Sequence, residues 1–414
     1  MNILYSKVVI ADYLRTPISR SNHKQPEKDI FNSLRMDECT ADLIKQILHK
    51  NNIPPEEVSR CIIGCANQSG EQFLYGGRAI SLLAGLPYST PAVAVDVQCG
   101  SSMGAIQQGA MEISMGYSNI VLSGGLEHMT HLPMRHGSKP NPRLLQENIF
   151  NLKKISKSID DLYDTVEDKY LLPSMGDTAE LLAQESGISR EEMDKWSLQS
   201  HQRAVNAQQE NFLKDEIMPI KVKTKNGDLI NVSNDQSIRH DTDFEKLSNL
   251  PPAFKKKGLI TAGNSSPLNS GASMVLLMSE EVSLNYNIQP LAIIESFGWG
   301  GVDPLVMGKG PLPASKMALE KANLSFEDVD FWEINEAFAV VPLWNIQQMK
   351  IKPEKVNVKG GAIALGHPLG MTGARLAGTL ARILNVEKGT YGIATVCIGG
   401  GQGLSILLKT YQPE

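Results

Sequence analysis

Two stretches of this chain repeat one order of elements, and that repetition restricts the fold more than any other feature. Residues 91–125 run as strand, Cys-Gly-Ser loop, helix, strand and Gly-Gly. Residues 356–400 run as strand, Gly-His-Pro loop, helix, strand and glycine-rich loop. In the first stretch, Pro91 to Val97 is an apolar strand, and Cys99-Gly-Ser-Ser follows at once. Ile106, Ala110 and Ile113 then share related faces of a helix over Met103 to Met115, and Asn119 to Ser123 is the next strand. In the second, Val356 to Val358 is β-branched and strand-like. Gly360, Gly361, Gly366 and Gly370 make a long flexible connection. Ala374, Leu376, Ala377, Leu380 and Leu384 fall on helical spacings over Gly373 to Leu384, and Ile393 to Val396 is a strand running into Cys397-Ile-Gly-Gly-Gly. Units of this kind predict an α/β protein of two halves with similar topology. The echo lies in element order, not in residue identity.

Each unit places a reactive residue at a strand–helix junction. Cys99 sits at or near a helix N-terminus, where backbone N–H groups favour an anion and can lower a thiol pKa from its usual ~8.5. His367 lies in a glycine-rich loop, and Cys397 ends a strand. Glycine lets the backbone approach a ligand closely. A histidine and a cysteine on such loops suit proton transfer in a narrow site. The plain alternative is a packed histidine and buried cysteines that act as small hydrophobes.

The remainder of the chain supplies context. Its 414 residues allow two or three domains, and 42% hydrophobic with 21% charged residues is ordinary globular composition. A net charge of −5 gives no basic face for nucleic acid. No run approaches the ~20 apolar residues of a membrane span. The N-terminus lacks the apolar core of a signal peptide, and the C-terminal KTYQPE is no recognised address. Five cysteines (Cys39, Cys61, Cys65, Cys99 and Cys397) are too few and too scattered for a disulfide framework, so a reducing, cytoplasmic setting is expected.

Further strands are predicted at 3–11, 60–65, 217–223, 229–232, 290–295 and 330–333, with an apolar stretch at 272–280. Further helices are predicted at 37–51, 77–86, 177–187, 189–212 and 313–322, and one following Ile334 to Gln348. Ser189 with Glu192 forms a capping-box pattern at one helix start. Residues 127–268 differ in texture and read as an inserted mixed domain, with a Lys- and Asp-rich segment at 151–170. His128, His131 and His136 have no convincing ligand spacing, so no metal is expected.

Taken in order, VDVQCGSSMGA around Cys99, GGLEHM at 124–129, SMGDTAE at 174–180, ITAGNSSPLNSGA at 260–272, INEAFA at 334–339, GGAIALGHPLGMTGAR at 360–375 and CIGGGQG at 397–403 resemble the thiolases over nearly the whole chain. The resemblance implies a five-layered α-β-α-β-α fold of two βαβαβαββ halves. Residues 1–126, completed by 269–290, would form the N-terminal half and 291–414 the C-terminal half, with 127–268 as the inserted, coenzyme A-binding loop domain. It implies that Cys99 is the nucleophile that becomes acylated and His367 its activating base. Cys397 would move the proton at the α-carbon. Asn335 would hold a water and, with His367, form one oxyanion hole; the backbone N–H groups of Cys99 and Gly399 would form the other. Arg239 and Ser266 match positions that contact coenzyme A, which is a substrate; no tightly bound cofactor is implied.

The activity implied is CoA-dependent cleavage of a 3-ketoacyl-CoA, in fatty acid β-oxidation. The run at 127–137 and Ser174 favour this over the synthetic acetoacetyl-CoA reaction, which is the alternative. A homodimer or homotetramer is implied, with room for a hydratase/dehydrogenase partner. Asp96, Ser174, Pro251 and Thr372 depart from the family pattern. An ionised Asp96 close to Cys99 would raise its pKa. Cys397 argues against a ketoacyl-carrier-protein synthase, which lacks it. A thiolase-like lipid-binding or scaffold protein would have lost Cys99, His367 or Cys397. Gly399-Gly-Gly-Gln-Gly opens no βαβ unit, so it does not signal a dinucleotide site.

Overall fold

The computed structural model describes residues 6–134, 174–224 and 226–412. His136 and the segment 151–170 lie outside them. The first half begins with β1 (Val8–Arg15) and the short β2 (Ser19–Arg20), then α1 (Met36–Lys50), β3 (Arg60–Gly64), α2 (Arg78–Leu83), β4 (Ala92–Val95), α3 (Ser101–Ser114) and β5 (Ile120–His128). The inserted region holds α4 (Met175–Ser186), α5 (Arg190–Gln209), the hairpin of β6 (Ile220–Lys223) and β7 (Leu229–Val232), and α6 (Phe244–Ser248). After β8 (Asn269–Ser279) and α7 (Glu280–Asn285), the second half runs β9 (Ala292–Gly301), α8 (Pro311–Lys321), β10 (Phe331–Ile334), α9 (Val340–Met349), α10 (Ala362–Leu365), α11 (Leu369–Val386), β11 (Tyr391–Ile398) and β12 (Gln402–Thr410).

The main strands join in the order β10-β11-β12-β9-β1-β8-β5-β3-β4. This order is symmetric about the central β9–β1 pair. Each half puts an antiparallel neighbour next to that pair (β12 or β8), and then parallel strands outward (β11 and β10, or β5 and β3). Even β4 has a counterpart, since Val356 bridges in parallel to Trp332 of β10.

Strand alternation builds the layers, because successive side chains point to opposite faces. Val9, Cys61, Ile63, Leu122 and Leu276 face Leu43, Ile44, Ile47 and Leu48 of α1. Their neighbours Ile10, Ile62, Val121, Val275 and Leu277 face α3 and α11, which also receive Ala394, Val396, Leu404 and Ile406 of the second half. Ile393 and Leu407 turn to the far side, against Ala318 and Leu319 of α8 and Val340 and Ile346 of α9. The result is helix, sheet, helix, sheet, helix, with α3 and α11 in the middle.

Two sequence expectations are corrected. Residues 356–358 form no strand. The side-chain amide of Asn357 accepts from Ile334 N at 2.8 Å and donates to Ile334 O at 2.9 Å, taking the groups a strand would have used. The helix expected to run on from Ile334 begins only at Val340. Asn335 N instead continues the sheet by donating to Thr395 O at 3.0 Å, and Glu336 is pulled inward by four donors: Trp196 Nε1, Ser200 Oγ, Asn357 Nδ2 and Ile363 N.

Candidate active site

The site is built where the first turns of α3 and α11 meet. Ala374 N, in the second turn of α11, donates to Ser102 Oγ at 2.9 Å, tying the starts of the two helices together. Cys99 lies just before α3, and His367 just before α11.

The Cys99 turn is strained. Gln98 has φ +48°, an uncommon region for a residue with a side chain. Asp96 Oδ1 accepts from Gln98 N at 2.9 Å, and Ser101 Oγ donates to Gln98 O at 2.6 Å. A Cβ on Gly100 would stand 2.6 Å from Ile398 Cδ1, so a larger residue would have to displace the Ile398 side chain for this turn to reach the end of β11. That approach brings Cys99 beside Cys397 and hydrogen-bonds the Gly399 amide to the Cys99 sulfur.

Cys99 is 9% exposed, and burial pushes its thiol up to about 12. The Gly399 N–H and its own N–H oppose this, and the Glu127 carboxylate adds to it. The lowered pKa expected from the helix start is therefore corrected: desolvation outweighs the helix end. The carboxylate acting on Cys99 is Glu127, whereas Asp96 is on the surface, capping Gln98. Burial, then the neighbouring Cys99, raise the fully buried Cys397 thiol as well.

His367 is held in one tautomer. Thr372 Oγ donates to Pro368 O at 2.8 Å, so it accepts from His367 Nδ1 at 2.7 Å, and Nδ1 carries the proton. Nε2 is left as an acceptor, 3.3 Å from Asn335 Nδ2. Asn269 Oδ1 accepts from the His367 amide at 2.8 Å. Burial, then the charge of Arg375, lower the imidazole to about 3, so it is a neutral base. Asn335 Oδ1 is buried without a partner among the described residues, an acceptor suited to an ordered water.

The predicted residues thus fall into three groups. Cys99, Cys397 and Gly399 meet directly; His367 and Asn335 meet directly. Ser266 is tied to the segment that follows Asn335, donating through N and Oγ to Ala337 O at 3.0 and 3.1 Å. Arg239 stands apart. It is exposed, donates its amide to His201 Nδ1 at 3.2 Å, and has Arg20 as a charged neighbour. Ser174 caps α4, and the next residue, Met175, lies against Gly399. The exposed Pro251 lies in the loop after α6.

Sequence reasoning missed the support residues Asn269, Glu127 and Glu336. All three sit inside quoted motifs, but a buried carboxylate that accepts several N–H groups has no spacing signature. Glu71, His128 and His131 also come together, with ligand atoms within 4.8 Å of one another. The two rings stack at 3.7 Å. Their nitrogens already face Phe31 O, Ser270 Oγ, Glu71 Oε1 and Asn32 O.

Comparison with known proteins fits this arrangement. Residues 8–281 match the model of the thiolase N-terminal domain and residues 288–410 that of the thiolase C-terminal domain. Over 409 residues, 98% of this chain and 100% of the relative, the chain is 40% identical to a probable acetyl-CoA acyltransferase of Staphylococcus aureus strain COL. The structure of human mitochondrial 3-ketoacyl-CoA thiolase superposes with a TM-score of 0.85 at 36% identity, covering 99% of this chain and 100% of that one. Bacillus anthracis acetyl-CoA acetyltransferase superposes at 0.83 with 33% identity, again covering 99% and 100%. The human enzyme in complex with CoA also gives 0.83 at 33% identity, covering 99% of each chain.

Proposed function

The chain belongs to the thiolase family of acetyl-CoA acyltransferases, and from that premise we propose that it cleaves 3-ketoacyl-CoA with coenzyme A, giving acetyl-CoA and a shortened acyl-CoA. The observation that carries this reading is that two neighbouring buried thiols and a neutral, tautomer-fixed imidazole stand at the starts of two helices that pack together, α3 and α11.

The reaction proceeds in two halves. His367 Nε2 takes the Cys99 proton as the sulfur attacks the 3-keto carbon. The bond between the α- and β-carbons breaks, leaving acyl-Cys99 and the enolate of acetyl-CoA. Cys397 gives that enolate its carbon proton and becomes the thiolate. His367 passes its first proton to the Cys397 thiolate and is neutral again; coenzyme A then attacks acyl-Cys99, its thiol proton goes to His367, and the acyl group leaves on the incoming sulfur. His367 returns this second proton to the released Cys99 thiolate as the site resets. On this reading the Gly399 and Cys99 N–H groups bind the acyl oxygen, and His367 with a water held by Asn335 binds the enolate oxygen. Donors of this kind are worth several kcal/mol when aimed at developing charge.

Arg239 and Ser266 are proposed to contact coenzyme A, with the inserted region 127–268 as its domain. Degradation in fatty acid β-oxidation is the proposed setting. The acetoacetyl-CoA reaction is the second reading, favoured by the near-equal superposition on an acetyl-CoA acetyltransferase. Among the described residues no helix is long and apolar enough to cross a membrane.

The test is thiolysis of 3-ketoacyl-CoA substrates from four to sixteen carbons, by wild type and Cys99→Ala. Turnover over many lengths that vanishes in the variant is the expected result. Turnover of the four-carbon substrate alone selects the second reading, and none at any length by folded wild type overturns both.

A further inference from the structure

The symmetry of the two halves points to a residue outside the roles given above. At the end of β11, Cys397 faces Gly403 of the neighbouring antiparallel strand and lies beside Cys99, which precedes α3. At the corresponding end of β5, Glu127 faces Gly271 of β8 and serves the helix that follows His367. Glu127 is 1% exposed. Its Oε2 accepts from Ala66 N and Gly370 N, both at 3.0 Å. Its Oε1 accepts from Gln72 Nε2 at 2.7 Å and, more weakly, from Cys65 Sγ at 3.9 Å.

Gly370 is the second residue of α11, a helix whose N-cap, Pro368, offers no side-chain acceptor. Four N–H groups at a helix start lack partners within the helix, and a carboxylate there is favoured by the dipole. A Cβ on Gly370 would lie 2.3 Å from Leu126 O, so α11 approaches β5 too closely for anything larger. The same first turn carries Thr372, whose hydroxyl holds His367 Nδ1. Any shift of that turn moves Thr372, the partner of the imidazole's Nδ1.

Resting on the acyltransfer reading above, we propose that Glu127 is the positioning residue of this site: its carboxylate, rooted in the first half, caps α11 of the second half and thereby fixes His367 against Cys99. It touches neither substrate nor the reacting sulfur.

Carboxamidomethylation of Cys99 by iodoacetamide at one fixed pH tests this without any acyl substrate. Glu127→Gln keeps the size but turns an amide group toward the donors. Alkylation is expected to slow by about tenfold, as small misplacements cost such factors. Thiolysis kcat should fall with it while KM for coenzyme A changes by less than about twofold. In His367→Ala, Glu127→Gln should have no further effect on alkylation, because the residue acts through the imidazole. Unchanged or faster alkylation in Glu127→Gln would show a carboxylate acting on Cys99 by charge alone and overturn the proposal. Multiplying effects in the double variant would reduce Glu127 to general structural support and overturn it equally. If Glu127→Gln does not fold, Glu127→Asp decides. It keeps the charge but shortens the reach, so slowing supports positioning and an unchanged rate refutes it. Wild type that alkylates with this pattern yet shows no thiolysis would sink the activity reading alone.

Discussion

At the scale of single residues, the resting site holds a protonated thiol beside an unprotonated imidazole. The Cys99 thiol at about 12 and the His367 imidazole at about 3 leave a wide range in which neither changes charge. In the proposed reaction, thiolate then appears only at attack, as His367 takes the proton. This differs from cysteines that rest as thiolate–imidazolium pairs. Alkylation of Cys99 should accordingly be nearly level from about pH 6 to about pH 10, because the thiol and the imidazole that takes its proton both keep their charge across that range. A rate that climbs about tenfold per pH unit there in an iodoacetamide profile would overturn this picture, since free thiolate and not the imidazole would then set it. Asn335, in a motif without glycine, could be singled out only through the family resemblance, whereas Cys99, His367 and Cys397 stand out in the sequence because each lies beside glycines that announce a turn. Their protonation states do not, because burial sets them, and burial belongs to the packed halves and not to any local spacing.

At the scale of elements, α11 is held by a buried ion pair. Arg375 Nη1 donates to Glu333 Oε2 of β10 at 2.8 Å, and both side chains are almost fully buried. Burial raises Glu333 to about 7 despite Arg375, which pulls the other way. Arg375→Met should cost about 3–5 kcal/mol in urea unfolding by leaving Glu333 buried and unpaired, whereas the double variant with Glu333→Met should recover most of it. Equal losses in both would show that packing, not charge, sets the cost. Elements with a regular pattern were read correctly. The stripe Leu43, Ile44, Ile47 and Leu48 became the buried face of α1, and Ser189 with Glu192 became a true capping box. The failures at Val356 and at Asn335 to Ala339 share one cause. There, side chains of Asn357 and Glu336 take over backbone groups, and no periodicity records where a side chain will bond.

At the scale of the whole molecule, acid should attack the fold through buried imidazoles. His367 falls to about 3 and His201 to about 4, both chiefly by burial, against an ordinary 6.5. The folded state binds these protons less readily than the unfolded one. Their stabilising effect is therefore complete above about pH 6.5 and is lost as pH falls toward 4 and 3, at up to about 1.4 kcal/mol per unit for each. In urea unfolding, the gap between wild type and His201→Ala should narrow as the buffer is taken from about pH 7.5 to about pH 5. A gap that stays constant contradicts it. The two-half plan was legible from the repeated element order; the seam was not, because β1 and β9 meet through two registered pairs, Val9 with Ile293 and Ile10 with Ala292. That near-symmetric seam carries a consequence for how such a site can arise. Two identical halves paired across an axis would set the same side chain on both sides of it. A continuous chain escapes that constraint, and can keep a sulfur at one helix start while an imidazole occupies the other.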